Sequence, residues 1–433
     1  VSITGPSKVQ YNIGDEIEIT GYVQETEDVS GELQFSLVCG TKTLKLQPLE
    51  VDVTAGERVS FSQFSLPTLT ASSSMQGICK IKAELEGESI TTETASSSSF
   101  EITNDLDASF SADQSQIQLG DTISITGSVN DLHGNPLEGT AEIYFASQSE
   151  EYLMDFVTVE NGVLSYSYIF SSGNAGAYEI NIIVRDSFGN EDSFDNADSF
   201  TVIDELQVTV STNAQSFLPG EVINVYGDVK TVLQDYVSTA TVVISLDSDA
   251  QSTALADSKF THDITIPTTI SSGQHTITVE VEDSFGNEGS SSLTIDVDPK
   301  ATSIENRISN TTLNPEEQLS IGVTLYDQAG DIMTDLVHLD VYDANNGVVS
   351  QTEIASEESI TYRIPQFAPP GEWTIKSYYN DEETEQEILS STDILAINEV
   401  QKLEYEIIGE KIYITNVGNV RYTQDLEIAV EGI

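Results

Sequence analysis

Positive charge is scarce in this sequence, whose 433 residues hold 16 lysines and arginines against 72 aspartates and glutamates, for a formal net charge of −56. The deficit is not a tail. Residues 1–104 carry 6 basic and 15 acidic side chains, 105–204 carry 1 and 18, 205–298 carry 2 and 14, 299–397 carry 4 and 18, and 398–433 carry 3 and 7. A surface negative along its whole length repels polyanions, which sets nucleic acid and anionic headgroups aside as partners. Long apolar runs are also missing: no stretch of eighteen apolar residues exists, so no membrane helix lies in the chain, and any membrane attachment is expected through a segment outside it. No lysine occurs between Lys82 and Lys230, which excludes a lysine–asparagine isopeptide bond from that interval.

Catalytic signatures are absent as well. The histidines are His133, His262, His275 and His338, and none belongs to a His-Glu-x-x-His pair. There is no Gly-x-Ser-x-Gly elbow and no phosphate-cradling glycine loop. A base held beside a nucleophile is what covalent or acid–base catalysis requires, and spacing offers none. A glycosidase carboxylate pair among so many acids lacks an aromatic-rich cleft to accompany it. The chain reads as non-catalytic, and no cofactor is expected beyond a calcium ion.

What is present is alternation. Val, Ile, Leu, Phe and Tyr recur at every second position in short runs separated by Gly, Ser, Asn, Asp and Pro clusters, the pattern of half-buried strands. One phrase returns four times: YNIGDEIEITGYV from Tyr11, IQLGDTISITGSV from Ile117, FLPGEVINVYGDV from Phe217 and LNPEEQLSIGVTL from Leu313. A second also returns four times: GICKIKAEL from Gly77, GAYEINIIV from Gly176, GQHTITVEV from Gly273 and GEWTIKSYY from Gly371. The first recurs at intervals of 106, 100 and 96 residues, and the second at 99, 97 and 98. A unit of about 100 residues built from many short strands is the size of one immunoglobulin-type sandwich. The expected architecture is all-β, an elongated rod of tandem sandwiches. They occupy 1–104, 105–204, 205–298 and a divergent 299–397, and a fifth, incomplete β domain opens over 398–433. Val1 opens directly on a strand and Ile433 stops in mid-pattern, so a signal peptide removed before Val1 and a continuation past Ile433 are both expected.

The (Pro/Leu)-Gly-(Asp/Glu)-x-Ile-x-Ile-x-Gly phrase resembles the early strands of macroglobulin-type and bacterial immunoglobulin-like domains. DSFGNE, at Asp186–Glu191 and again at Asp283–Glu288, is similar to the Asp-x-x-Gly-Asn phrase of the last hairpin of such domains. Asn416-Val417-Gly418-Asn419 resembles domains of archaeal surface-layer proteins. The fourth unit departs from the pattern, with Glu316 at the turn glycine and no DSFGNE phrase. The resemblance implies a structural protein outside the cell, at its surface or wall, self-associating as a surface-layer or filament subunit. An adhesin or receptor stalk, or the accessory region of a larger secreted enzyme, are the alternatives.

Four features are candidates for chemistry. Cys39 and Cys79, the two cysteines present, fall in the first unit; a disulfide facing across the core suits an exported protein and is favoured over two free thiols buried as small apolar residues. Asp186, Asn190, Asp192, Asp195 and Asp198 gather oxygens that a calcium ion could use, although their spacing matches no standard calcium loop and a plain hairpin turn is the favoured reading. Asn310 heads one glycosylation sequon, Asn310-Thr311-Thr312. Tyr144, Phe145, Tyr152, Phe156, Tyr166, Tyr168 and Phe170 crowd the second unit, where core packing is expected ahead of a binding face. His275 falls in the slot held by Cys79, Tyr178 and Trp373 in the other units, which marks a structural position. The acidity itself leaves three readings open: adaptation to high salt, collection of divalent cations, or plain solubility.

Overall fold

The computed structural model describes residues 1–88, 90–148, 150–171, 173–380 and 385–429. Among them there is no α-helix, only two single 3₁₀ turns, Phe61–Gln63 and Ser73–Met75, and the rest of the regular structure is β. The chain forms two compact units. One is Val1–Leu206 with the loops Lys230–Asp235 and Asp283–Glu288; the other is Gln207–Val229, Tyr236–Glu282 and Gly289–Ile433.

Each repeat of the sequence folds as two facing sheets, the first with an added two-stranded ladder of Glu16–Ile17 and Leu69–Thr70, so the architecture is a tandem series of immunoglobulin-like sandwiches. In the second repeat, one sheet orders Asp107–Ala112, Thr122–Asn130 and Val163–Ile169. The other orders Gln116–Gln118, Glu191–Ile203, Gly176–Asp186, Gly139–Ala146 and Glu151–Val159. The third and fourth repeat the five-strand order with Ser216–Phe217 and Thr312–Leu313 in the place of Gln116–Gln118. In every repeat that short strand pairs parallel to the final one, as Ile117 does with Val202 and Phe217 with Val297. The first repeated phrase supplies this parallel strand, then a turn, then the central strand of the smaller sheet. The second phrase supplies the central strand of the larger one.

Alternation builds the core as the sequence implies. Ile123, Ile125 and Val129 from one sheet meet Ile180, Ile182 and Val184 from the other, all fully buried. The first sandwich buries Leu33, Phe35 and Leu37 against Ile81, Ala83 and Leu85. In LSYSYIF the inward set is Leu164, Tyr166, Tyr168 and Phe170, and Phe145, Phe170, Tyr178 and Phe200 form one aromatic cluster with centroids 5.0–6.4 Å apart. Tyr152 and Phe156 do not join it. They stand exposed on the edge strand Glu151–Val159.

The second-phrase slot has one geometry in all four sandwiches. Tyr178 Oη donates to Asn174 O at 2.9 Å and Trp373 Nε1 to Pro369 O at 2.8 Å. His275 Nε2 donates to Ser271 O at 2.8 Å. The Cys79 sulfur lies 3.3 Å from Met75 O, as a contact only, because a disulfide sulfur carries no hydrogen. Four unlike side chains thus meet the carbonyl four residues back, which anchors the loop entering this strand.

Cys39 and Cys79 form a disulfide, and both are buried. It does not cross the core. The two residues are directly opposite on adjacent strands of one sheet, Val29–Cys39 and Gly77–Gly87. Among the described residues the last regular element is the hairpin Leu403–Ile408 and Lys411–Asn416, whose strands form a two-stranded sheet.

Candidate functional site

The two DSFGNE loops are closed by their own hydrogen bonds. Asp186 closes its own loop: Oδ1 accepts the amides of Phe188, Gly189 and Asn190 at 2.8–2.9 Å, and Oδ2 accepts Asn190 Nδ2 at 2.7 Å. Such an Asx-type closure is what Asp at the head of a Gly-containing turn provides. The rigid loop then presents Asn190 to the first sandwich. Its Nδ2 donates to Ile13 O at 2.9 Å, and its Oδ1 accepts from Ile13 N at 2.9 Å. One side-chain amide therefore pairs with both backbone groups of a single residue, and Asn190 is 2% exposed.

Phe188 completes the contact. It lies over Gly14, whose φ is +96°, and a Cβ placed on Gly14 would come within 2.7 Å of the Phe188 ring. The turn needs glycine twice, once for its left-handed backbone and once for the ring above it. Asn12 answers from the same strand: its Nδ2 donates to Asp105 O at 2.7 Å, and its Oδ1 accepts from Leu132 N at 2.9 Å. The connecting chain is held too, since Glu191 N donates to Asn104 O and Asn104 Nδ2 to Glu191 O.

The same compact unit contains a second copy of this clasp. Asp283 Oδ1 accepts the amides of Phe285 and Asn287, and Asn287 Nδ2 donates to Leu119 O at 2.8 Å. Asn287 Oδ1 accepts from Gln118 Nε2 at 2.8 Å, Phe285 lies over Gly120 at φ +104°, and Asn287 is 1% exposed. The repeated (Asn/Gln)-(Ile/Leu)-Gly-Asp turn and the DSFGN loop are thus two halves of one contact, 12–15 with 186–190 and 118–121 with 283–287. The sequence held both halves as repeats, but nothing in it said that they touch.

In the other compact unit the halves are missing. Leu218 and Pro219 stand where Asn12 and Ile13 do, and Leu218 is 44% exposed. Contacts to the fourth sandwich use other groups: Ser272 Oγ donates to Asp327 Oδ2 at 2.9 Å, and Gln328 Nε2 to Ile270 O at 2.9 Å. Glu316 keeps the left-handed turn at φ +70° without glycine. The Asn416–Asn419 phrase does bond outward, with Asn419 Nδ2 donating to Ala368 O at 3.0 Å.

The five residues expected as calcium ligands do not converge on one point. Asp186 and Asn190 serve the clasp. Asp192 Oδ2 accepts Leu106 N at 3.1 Å, Asp198 Oδ2 accepts Ala112 N at 2.7 Å, and Asp195 is exposed on the same strand, Glu191–Ile203. Asp192 and Asp198 cap backbone amides at separate points. Among the described residues one group of His and acid side chains does converge, Asp15, Asp131 and His133. Asn310 is exposed in the turn between Ser303–Ile308 and Thr312–Leu313, with Oδ1 accepting Thr312 N at 3.2 Å.

No curated protein sequence matches the chain. Among solved structures, a tetra-tandem repeat from the extending region of a large adhesion protein is 15% identical, with 91% of this chain and 98% of that one covered and a TM-score of 0.39. A Ca2+-stabilized adhesin with which an Antarctic bacterium reaches out and binds ice is 13% identical, over 92% and 98% of the two chains, with a TM-score of 0.25. The alpha-2-macroglobulin of E. coli is 9% identical over 93% of this chain and 34% of that one, at a TM-score of 0.20. At these identities and TM-scores the likenesses carry no functional inference. Recognition by sequence is confined to the third sandwich, where residues 231–299 match the family described as the bacterial Ig-like domain.

Proposed function

We propose that the chain is a non-catalytic extension segment of a cell-surface protein, a stalk whose task is to hold whatever it carries at a distance. The observation that carries this reading is the repeated clasp, in which a closed loop, a buried asparagine and a phenylalanine grip the turn of the sandwich before it. Such a contact fixes the joint between consecutive domains, which is what a stalk needs and a set of freely linked binding modules does not. The strongly acidic surface supports the same role by keeping stalks apart from one another and from polyanions.

A second reading, lateral assembly into a surface layer or filament, is favoured by the edge strand Glu151–Val159. Its Tyr152 and Phe156 are 49% and 65% exposed, and among the described residues it ends its sheet, which suits pairing with a second copy. Electron microscopy of the purified chain, with calcium and with chelator, separates the two. The stalk reading expects isolated particles extended on the order of 160 Å, from about 40 Å per sandwich. It also expects visible bending in an Asn190→Ala, Asn287→Ala variant. Ordered sheets or filaments would favour assembly, and their loss in chelator would assign the acids to bridging calcium. Particles that bend equally with and without the clasp residues would sink the stalk reading.

A further inference from the structure

Beside the clasp, the loop 131–135 of the second sandwich brings His133 against Asp15 of the first. His133 Nδ1 lies 3.5 Å from Asp15 Oδ2 and 4.0 Å from Asp131 Oδ2, and the three donor atoms all fall within 4.8 Å of one another. We propose that Asp15, Asp131 and His133 form a site for a borderline divalent metal ion of the zinc type, tying the first sandwich to the second. The proposal rests on the clasp as a mechanical joint and adds a ligand that reinforces it.

The imidazole carries the argument. Its Nε2 lies 3.1 Å from the backbone carbonyl of Gln10, which can only accept, so Nε2 bears the hydrogen. In the neutral ring Nδ1 then directs a lone pair at two carboxylate oxygens. That arrangement repels unless a cation stands between them. A ring nitrogen donating to a backbone carbonyl while the other faces carboxylates is the arrangement that orients metal-binding histidines. The Tyr11 ring, with its centroid 6.5 Å away, further limits the imidazole.

Both carboxylates are positioned and retain acceptor capacity. Asp131 Oδ1 accepts the amides of His133 and Asn135, Oδ2 accepts Asn135 Nδ2 at 2.7 Å, and Asp15 Oδ2 accepts Asn12 N at 3.1 Å. Each oxygen aimed at Nδ1 keeps a second lone pair. Lys8 Nζ stands 3.8 Å from Asp15 Oδ2 and competes for it, but this side chain is substantially exposed and free to swing away.

The loop itself does not call for histidine. The corresponding closures at Thr231–Asp235 and Asp327–Asp331, each with the first amide donating to the last carbonyl, carry Leu233 and Ala329 at that position. One nitrogen with two carboxylates suits zinc and its neighbours, with water completing the shell. Calcium, which wants six to eight oxygens, finds too few here.

Calorimetric titration of the full chain with Zn2+ near neutral pH, in excess calcium to occupy scattered carboxylates, tests this. A single zinc site is expected that disappears in His133→Gln, weakens at least about tenfold in Asp15→Asn and persists in His262→Gln. Co2+ should give visible absorption bands that His133→Gln abolishes. Unchanged zinc binding in His133→Gln, or none in the parent chain, would overturn the proposal. The titration reads the site and the microscopy reads extension, so either reading can fail without the other.

Discussion

Gly14 and Phe188 are coupled across a joint, and the coupling can be measured. Gly14→Ala puts a Cβ within 2.7 Å of the Phe188 ring, on a backbone at φ +96° that alanine disfavours. The backbone cost alone is about 1–2 kcal/mol, and the clash adds to it. Phe188→Ala removes the clash but not the backbone cost. Urea unfolding of the two single variants and the double should therefore give a loss smaller than the sum, by about 0.5–3 kcal/mol. Strict additivity would mean that the ring does not press on the turn.

His275 makes a second prediction at the residue scale. Both its nitrogens face acceptors, Asp247 Oδ2 at 2.7 Å and Ser271 O at 2.8 Å, so the charged form is the one the site fits. Burial opposes that charge, but the bonds to Asp247 and Ser271 outweigh it and raise the pKa above the usual value, while Asp247 is lowered in turn. A raised histidine stabilises fully below its unfolded pKa of about 6.5, and that contribution is lost as pH climbs through the folded value. The lowered Asp247 contributes above its unfolded pKa of about 4, and that part is lost as pH falls through its folded value. Thermal unfolding should thus weaken on the alkaline side above about pH 6.5, and His275→Gln should flatten that limb. An identical alkaline limb in the variant would refute the assignment.

At the scale of elements, the disulfide staples two neighbouring strands that already pair from Cys39–Cys79 to Gly31–Gly87. It encloses 40 residues of sequence. Chain entropy gives about 3–4 kcal/mol for such a loop, on the assumption that the reduced chain is otherwise unstructured. Replacing both cysteines with alanine should lower the stability of the first sandwich by that order, and reductant should lower the parent to match. An effect under about 0.5 kcal/mol would mean that the existing ladder already restricts the unfolded chain. Spacing suggested the pair but not its path, because two strands half a domain apart in sequence can be partners in one sheet or face each other across two.

At the scale of the molecule, a charge of −56 spread over every segment is the dominant long-range term. Some of the few basic groups are paired: Arg185 bonds both Glu142 and Glu191, and Lys376 reaches Glu387 at 2.6 Å. What remains is self-repulsion, screened over about 10 Å at 0.1 M salt and about 3 Å at 1 M. The melting temperature should climb as sodium chloride is raised across that range. Indifference to salt would show that the carboxylates are spaced widely enough for solvent to screen them already.

The sequence by itself determined the sandwich and its repetition. Period-two alternation decides which face of each strand is buried, and two phrases kept in step at about 100 residues fix the unit. It also pointed to the slot of Cys79, Tyr178, His275 and Trp373, because that slot is defined by position along one strand. The joint was beyond it. Asn190 meets Ile13 across 177 residues, and Phe188 meets Gly14. The DSFGNE phrase read as a turn with acids facing water, because a hairpin's local demands explain Asp186 and Gly189 completely. Asn190 and Phe188 are explained only by a surface that another domain brings to them. His133 shares that fate: a lone histidine in a polar turn acquires Asp15 as a neighbour only when two sandwiches meet. Local periodicity is written along the chain, whereas contacts between repeats depend on how finished domains stack, and only the tertiary structure decides that.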